Sequence, residues 1–141
     1  MSSRAEILSL INRYSLALDS GDLDGFLDLF ADAVWTFDEG EPNRGREELF
    51  KNVVSRVIIY DDGTPRTRHL STNIELEIDE DAGRAKCQRY VMVYQQTDGF
   101  PLQAIYSGRY LDEFTRQDGG WQYSSCTIRD PFFGDVSRHI R

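Results

Sequence analysis

The hydrophobic pattern of this chain changes its period once, and that change constrains the fold more than any single motif does. Up to about residue 57, most apolar residues recur every three or four positions, as they do on one face of an amphipathic helix. From residue 67 almost to the end they alternate with polar residues, which is the period of a half-buried strand. The intervening Asp61-Asp62-Gly63-Thr64-Pro65 is typical of a turn. Helices first and a run of strands afterwards predict an α+β fold.

Three helices and one short strand are expected before this turn. The first helix covers residues 5–19, and a second helix, capped by the side-chain oxygen of Asp22, runs to Phe30. A short strand covers residues 34–38, and the third helix runs from Arg46 to about Val57. The residues expected to be buried along the third helix are Leu49, Phe50, Val53, Val54 and Val57.

Four long strands are expected after the turn. They are Thr67–Asp79, Arg84–Thr97, Gln103–Gln117 and Trp121–Asp130. The connections between them are short and rich in Gly, Asp and Pro, which suit tight reversals of the chain. The strands therefore form an antiparallel meander, and we expect the three helices to pack on one face of a curved sheet.

Length and charge limit the classes of partner. A chain of 141 residues is expected to form one domain, residues 1–141. Its 16 Lys and Arg against 24 Asp and Glu give a formal net charge of −8, which repels phosphate backbones and anionic bilayers. Neither nucleic acid nor a membrane is therefore expected as a partner. The opening residues lack the pattern of a secretory signal, so a cytoplasmic location is expected.

Residues that commonly bind metals are scarce. Cys87 and Cys126 have no C-x-x-C spacing and lie in strand-like segments, so reduced structural thiols are expected. His69 and His139 are the only histidines, and neither belongs to a metal-binding motif. We expect neither a metal nor another cofactor.

Three groups of local motifs carry a resemblance to a known family. They are Leu18-Asp19-Ser20-Gly21-Asp22, Arg68-His69-Leu70-Ser71-Thr72-Asn73, and Ser107-Gly108-Arg109-Tyr110 with Gly120-Trp121. Together with the order of elements, they make the chain resemble the SnoaL-like branch of the nuclear-transport-factor-2-like superfamily. That branch is similar to scytalone dehydratase, polyketide cyclase and hexachlorocyclohexane dehydrochlorinase. The resemblance implies a cone-shaped fold and assembly into a homodimer or homotrimer.

The resemblance also implies a His–Asp dyad at the mouth of an apolar cone, and its positions match His69 and Asp19. A neutral imidazole can remove a carbon-bound proton, and a carboxylate on its other nitrogen fixes the tautomer. The plainer alternative is a turn-forming Asp19 beside a solvated His69. Tyr14 matches the position of a dehydrochlorinase lysine, so dehydrochlorination is a poor first choice. Tyr14 itself is either a core residue or a helper whose hydroxyl reaches the cavity.

The alternation of the first long strand leaves the direction of His69 open. Simple alternation puts His69 on the face opposite to the apolar Leu70. His69 enters the cone only if a bulge near residues 71–73 changes the phase, or if the two ends of the strand face different layers of a bent sheet. Arg129 falls in phase with the aromatic residues of the last strand. It is expected either to bind an oxygen of a ligand or to pair with Asp130 or a neighbouring acid.

Aromatic residues alternate along the predicted strands. Most are expected in the core, and those that line a cavity suit a flat, ring-containing ligand whose oxygens the tyrosine hydroxyls orient. His139, in a basic C-terminal segment, is expected to be an oligomer contact or a frayed end rather than a catalyst. The candidate ligand-binding residues are Trp35, Phe37, Tyr90, Met92, Tyr94, Tyr106 and Tyr110.

Two functions are compatible with these residues. The first is a cofactor-independent lyase or isomerase of the dehydratase or cyclase type, in which His69 removes a proton and Asp19 orients His69. Tyr14 or Arg129 then polarises an oxygen of the substrate, a small hydrophobic and ring-containing carbonyl or hydroxyl compound. The alternative is a non-catalytic ligand-binding or assembly subunit, such as the β subunit of a ring-hydroxylating dioxygenase.

Overall fold

Three helices lie on one face of a six-stranded sheet. A computed structural model describes residues 1–141. The helices are α1 (Ser3–Ser20), α2 (Leu23–Asp28) and α3 (Gly45–Asn52), and a single 3-10 turn, Val54–Arg56, follows α3. The strands are β1 (Val34–Phe37), β2 (Asn43–Arg44), β3 (Thr67–Asp79), β4 (Arg84–Thr97), β5 (Phe100–Gln117) and β6 (Gly120–Phe133).

The sheet has the order β2-β1-β6-β5-β4-β3. Consecutive long strands pair antiparallel, whereas β1 joins the far side of β6 in parallel. Register shifts interrupt β3, β4, β5 and β6, and such bulges bend a sheet and increase its twist. The expected α+β class, with three helices packed on a curved and mainly antiparallel sheet, is confirmed.

The core lies between the helices and the inner face of the sheet. Along β4 every second residue from Ala85 to Gln95 is buried, and these residues face the helices. The face of α1 that packs on the sheet carries Ile7, Ile11 and Tyr14, all at most 2% exposed. Aromatic rings fill one end of the core, where Phe30 and Tyr123 lie with ring centroids 4.8 Å apart. The other end of the core remains open as a cavity.

A bulge in β3 reverses the direction of its side chains. The pairing with β4 shifts between Thr72 and Glu75, and Asn73 adopts a φ of 52°. Before the bulge the inward residues are odd-numbered, as Thr67 and His69 are; after it they are even-numbered, as Ile74 is. The first of the two expected ways for His69 to enter the cone is therefore the one observed. Leu70, assigned by alternation to the apolar face, is instead 44% exposed.

Several element boundaries differ from the expected ones. The third helix ends at Asn52 rather than near Val57, because Val53 (φ −130°) leaves the helical conformation and lets Val57 pair with Ile140 of the C-terminal segment. Phe50 was expected to be buried but is 50% exposed, and Leu49 is the only buried residue of this short helix. The bounds of β3 and β4 are as expected, while β5 begins earlier and β6 is longer at both ends.

None of the helices combines the length and apolar character that crossing a membrane requires.

Candidate active site

The end of α1 places Asp19 against the first residues of β3. Gly21, in the left-handed conformation (φ 81°), ends the helix, and its N–H donates to the carbonyl of Leu18 at 3.1 Å. A Cβ at Gly21 would lie 1.9 Å from the carbonyl oxygen of Gly63, so only glycine permits this approach. Gly63 belongs to the turn that leads into β3. The contact therefore brings the last turn of α1 beside the strand that carries His69.

The Asp19 carboxylate accepts three hydrogen bonds from β3. Oδ1 accepts from His69 Nδ1 at 2.6 Å and from Thr67 Oγ1 at 2.8 Å, and Oδ2 accepts from the His69 backbone N–H at 2.7 Å. Burial opposes the charge on Asp19, yet the bonds from His69 and Thr67 outweigh burial and hold the pKa of Asp19 below its usual range. Asp19 is therefore ionised at neutral pH and can only accept hydrogen bonds.

The ionised Asp19 fixes the tautomer of His69. Because the carboxylate only accepts, Nδ1 of a neutral His69 carries the proton and Nε2 carries the free lone pair. The His69 side chain is 7% exposed and its ring lines the cavity. Nε2 forms no hydrogen bond within the protein, so it is available to accept a proton from a bound molecule.

The cavity beside His69 has a volume of about 470 Å³. Fifteen of its 20 lining residues are hydrophobic, which suits a small apolar molecule rather than a charged one. Trp35, Phe37, Tyr106 and Tyr110 line it, as expected of them, and so does Tyr14 from α1.

Tyrosine hydroxyls supply some of the polar atoms of the cavity wall, beside those of Asn52, Arg56 and the histidines. Trp35 Nε1 donates to Tyr14 Oη at 2.9 Å, which leaves the proton of that hydroxyl for another acceptor. Tyr110 and Tyr106 bring their hydroxyl oxygens within 3.4 Å of each other. A Cβ on Gly108 would lie 2.5 Å from Tyr106 Oη, so this glycine makes room for the pair.

These hydroxyls act as hydrogen-bond donors at neutral pH. Burial raises the pKa of Tyr106 to about 12, and burial also raises the pKa of Tyr14 and of Tyr110 above the ordinary value. A bound carbonyl or hydroxyl oxygen that reaches this wall therefore meets protonated donors.

Three of the candidate ligand-binding residues lie on the other side of the sheet. Tyr90, Met92 and Tyr94 alternate with the buried residues of β4, and Tyr90 is 47% exposed. In β4 the alternation is unbroken and the inward-facing residues are odd-numbered, as Val93 is, so these three even-numbered residues face outward. The prediction that they line the cavity is wrong.

Arg129 also faces away from the cavity. The pairing of β5 with β6 shifts between Glu113 and Phe114, so Ser124 is an extra residue that inverts the phase of β6. Arg129 instead lines a polar groove of about 600 Å³ on the outer face and donates to the carbonyl of Asp38. Both expected roles of Arg129 are thus wrong. It lies outside the cavity, and it forms no salt bridge with Asp130, which pairs with Arg109, or with another acid.

A second histidine lines the cavity where a frayed end or an oligomer contact was expected. The ring centroid of His139 lies 6.2 Å from that of His69, with the ring planes at 68°. His139 Nδ1 is buried and has no hydrogen-bond partner. From the sequence, His139 is recognisable only as a histidine in a basic segment. Its place at the cavity depends on how that segment folds back, which the sequence pattern does not show.

Beneath the cavity lies a buried ion pair that the sequence interpretation missed. Arg89 Nε donates to Asp112 Oδ2 at 2.7 Å, and neither side chain is exposed. The guanidinium carbon lies 5.0 Å from the ring centroid of Tyr14 and 4.9 Å from that of Tyr110. The sequence does carry a signal for this pair. In each of two neighbouring strands, one charged residue occupies a position where alternation predicts an apolar side chain. No three His, Cys, Asp or Glu side chains are placed to hold a metal ion.

Comparisons with known proteins assign the family. The model of the SnoaL-like domain matches residues 1–127. No curated protein matches the chain significantly in sequence. Among solved structures, the chain is 27% identical to a protein of unknown function from Mycobacterium tuberculosis, with a TM-score of 0.72 over 89% of this chain and 70% of that one.

Two further structures come from Novosphingobium. Hexachlorocyclohexane dehydrochlorinase LinA-type3 from Novosphingobium barchaimii is 26% identical, with a TM-score of 0.67 over 94% of this chain and 92% of that one. A protein provisionally named an aromatic ring hydroxylase, from Novosphingobium aromaticivorans, is 25% identical, with a TM-score of 0.71 over 96% and 95% of the two chains. Because the family model matches far more than half of its length, the chain belongs to the SnoaL-like domain family.

Proposed function

We propose that this protein is a lyase or isomerase of the dehydratase or cyclase type that uses His69 as its general base and needs no cofactor. The observation that carries the proposal is the 2.6 Å hydrogen bond between His69 Nδ1 and Asp19 Oδ1 at the wall of an apolar cavity. The substrate class is a small, ring-containing carbonyl or hydroxyl compound, because the cavity is mostly apolar and tyrosine hydroxyls are among its few polar groups.

The first step is the removal of a carbon-bound proton. Nε2 of His69 takes the proton, the C–H bond breaks, and its electron pair moves toward the adjacent carbonyl oxygen of the substrate. Tyrosine hydroxyls in the wall donate hydrogen bonds to that oxygen as its charge grows. Asp19 stabilises the imidazolium that His69 becomes, because its carboxylate already accepts the Nδ1 proton.

The second step returns the proton from His69. Transfer to another carbon of the substrate moves a double bond, which is isomerisation. Transfer to a departing hydroxyl releases water, which is dehydration. The similar hexachlorocyclohexane dehydrochlorinase is named for an elimination, which supports a lyase of this general type. Tyr14 is a neutral residue, so it supplies no positive charge for a departing halide.

The ring opening of 5-nitrobenzisoxazole tests the base without knowledge of the natural substrate. Removal of the single acidic C–H of this flat compound opens its ring to a coloured phenolate. We expect the protein to catalyse the opening and His69→Ala to lower the rate by roughly 10²–10⁴-fold, the usual effect of losing a general base. Arg68→Ala, an exposed neighbour on β3, is the control and should keep the rate. An unchanged rate in His69→Ala refutes the proposal.

A second candidate function is a non-catalytic binding or assembly subunit. The observation that favours it is the outer face of the sheet, where Leu70 and Tyr90 are 44% and 47% exposed, because apolar side chains on a broad face are typical of an interface. The protein provisionally named a ring hydroxylase is compatible with this role. We propose that the outer face joins copies of this chain into a homodimer or homotrimer. Such assembly accompanies either function, so the response to His69→Ala separates the two candidates.

A further inference from the structure

The C-terminal segment, residues 136–141, is held in place by hydrogen bonds to and from its main chain. The N–H of Ile58 donates to the carbonyl of His139 at 2.8 Å, and the N–H of Arg141 donates to the carbonyl of Arg56 at 2.9 Å. Gln95 Nε2 donates to the carbonyl of Arg138 at 3.0 Å. These bonds fix the backbone on both sides of His139 and engage none of its side chain. The backbone of the segment therefore places the ring of His139 at the cavity.

The side chain of His139 forms no hydrogen bond with the rest of the protein. It lines the cavity, and neither ring nitrogen forms a hydrogen bond within the protein. Nδ1 is buried, so Nε2 is the atom that a bound molecule can reach. A polar group left without a hydrogen bond inside a protein is unfavourable, so such groups are rare in folded proteins. The exposed positions of the neighbouring Ser137 and Arg138 show that this segment places polar side chains in solvent elsewhere.

The two histidines differ in what holds them. His69 has the Asp19 carboxylate on one nitrogen, whereas His139 has no carboxylate partner. Burial, with a further contribution from His69, lowers the pKa of His139 to about 4. Protonation of His139 is therefore disfavoured in the folded chain. The neutral His139 retains one N–H donor and one nitrogen acceptor at neutral pH.

We propose that His139 forms a hydrogen bond with the oxygen of the substrate while His69 removes the proton from the adjacent carbon. This inference rests on the proposed function and adds to it the residue that selects oxygen-bearing ligands. Ring centroids 6.2 Å apart allow one small molecule to contact both imidazoles through neighbouring atoms. His139 is then a specificity-determining residue supplied by the C-terminal segment, and a hydrocarbon of the same shape loses this interaction.

Binding of 2-naphthol and naphthalene to the full-length protein tests the inference. The two probes have the same flat shape and differ by one hydroxyl group. We expect His139→Phe, which keeps a ring but has no polar atom, to weaken 2-naphthol binding about five- to tenfold and to leave naphthalene binding within about twofold. His139→Asn, which restores hydrogen-bonding atoms, should recover part of the preference for 2-naphthol.

Val136→Ala is the matched control, because Val136 lines the cavity from the same segment with an apolar side chain. It should change the affinities of both probes to the same extent. Equal weakening of both probes in His139→Phe, or no preference for 2-naphthol in the unaltered protein, overturns the inference. With only two histidines in the chain, comparison with the His69→Ala and His139→Phe spectra assigns the imidazole NMR signals, and bound 2-naphthol should shift those of His139.

The 5-nitrobenzisoxazole assay keeps this test separate from that of the proposed function. A rate that does not depend on His69 refutes the general base, whatever the two naphthalene probes show. A rate that depends on His69, together with equal effects of His139→Phe on both probes, refutes only the role of His139.

Discussion

The Asp19 carboxylate lies in the last turn of α1, where the negative end of the helix dipole opposes its charge. Its three hydrogen bonds from β3 offset that opposition and the cost of burial. Two of the three come from His69, through its ring and its backbone. Asp19 thus orients the same residue whose charged form it can stabilise.

Asp19→Asn should separate orientation from folding. An amide has no negative charge and can donate to Nδ1, which favours the wrong tautomer of His69. We expect the rate of 5-nitrobenzisoxazole opening to fall by roughly tenfold or more, though less than in His69→Ala, while naphthalene still binds. Asp22→Asn, which alters the N-cap of α2 away from the cavity, is the control and should keep the rate. Unfolding of Asp19→Asn would identify Asp19 as a turn-forming residue instead.

His139 should make stability depend on pH between about 6.5 and 4. In the unfolded chain His139 takes up a proton near its ordinary pKa of 6.5, whereas in the folded chain it does so only near 4. The unfolded state binds more protons in this window, so acidification lowers the free energy of unfolding, by up to about 3 kcal/mol. Asp19 contributes at still lower pH, because the folded state is stabilised by its charged form.

Urea unfolding at pH 7 and pH 5 measures this dependence. His139→Phe should lose much of the difference between the two pH values, and Val136→Ala should retain it. An identical pH dependence in His139→Phe would show that His139 is as accessible to protons in the folded chain as in the unfolded one.

At the scale of elements, one close approach and one buried pair determine the site. The approach of Gly21 to Gly63 sets α1 against β3. The Arg89–Asp112 pair joins β4 to β5 beneath the cavity, and Arg89 Nη1 also donates to Ser71 Oγ of β3 at 2.8 Å. Three adjacent strands are therefore joined by polar contacts at the level where the cavity begins.

Gly21→Ala should destabilise the protein more than a positive φ alone explains. Both Gly21 and Gly99 have a positive φ, but nothing lies within 4 Å of a Cβ at Gly99. We expect Gly99→Ala to cost about 1 kcal/mol for its backbone conformation, and Gly21→Ala to cost clearly more, because the turn must also move away. Thermal or urea unfolding measures both. Equal losses would show that the turn yields without cost.

Removing one partner of the buried ion pair should be costly, whereas removing both should cost less. Arg89→Met leaves the Asp112 carboxylate buried without its partner, and such a loss costs about 3–5 kcal/mol. The double variant Arg89→Met/Asp112→Leu removes both charges at similar volume, so it should recover much of the stability. Urea unfolding of the three variants, including Asp112→Leu alone, gives the coupling free energy. Additive losses would contradict the pairing.

At the scale of the whole molecule, the sheet has a covered inner face and an uncovered outer one. Leu70 and Tyr90 are exposed on the outer face, beyond the reach of the helices. We expect the protein in solution to have two or three times the mass of one chain by light scattering, and Tyr90→Asp to shift it toward the monomer. Leu102→Asp, at an exposed position in the β4–β5 hairpin, should leave the mass unchanged. A monomeric unaltered protein would contradict this proposal.

The change of period was sufficient to predict the α+β class and the bounds of β3 and β4. The resemblance paired His69 with Asp19, and their contact is present, while their catalytic roles stay predictions. Side-chain direction was predictable only where alternation is unbroken. An extra residue at Ser124 turned Arg129 outward, and the bulge at Asn73 turned His69 inward. Bulges and the path of the C-terminal segment depend on contacts between distant parts of the chain, which local periodicity does not contain.

The order of pairing in the sheet has a consequence for how the molecule assembles. Strands β3 to β6 each pair with the next along the chain, so this meander forms from local contacts that cost little loop entropy. The parallel pairing of β1 with β6 and the bond between Asp19 and His69 join distant positions. The meander of β3 to β6 can therefore be complete before β1 and the helices are added. The elements added last should open first when the folded chain fluctuates, so the pocket can admit a ligand while the meander of β3 to β6 stays intact.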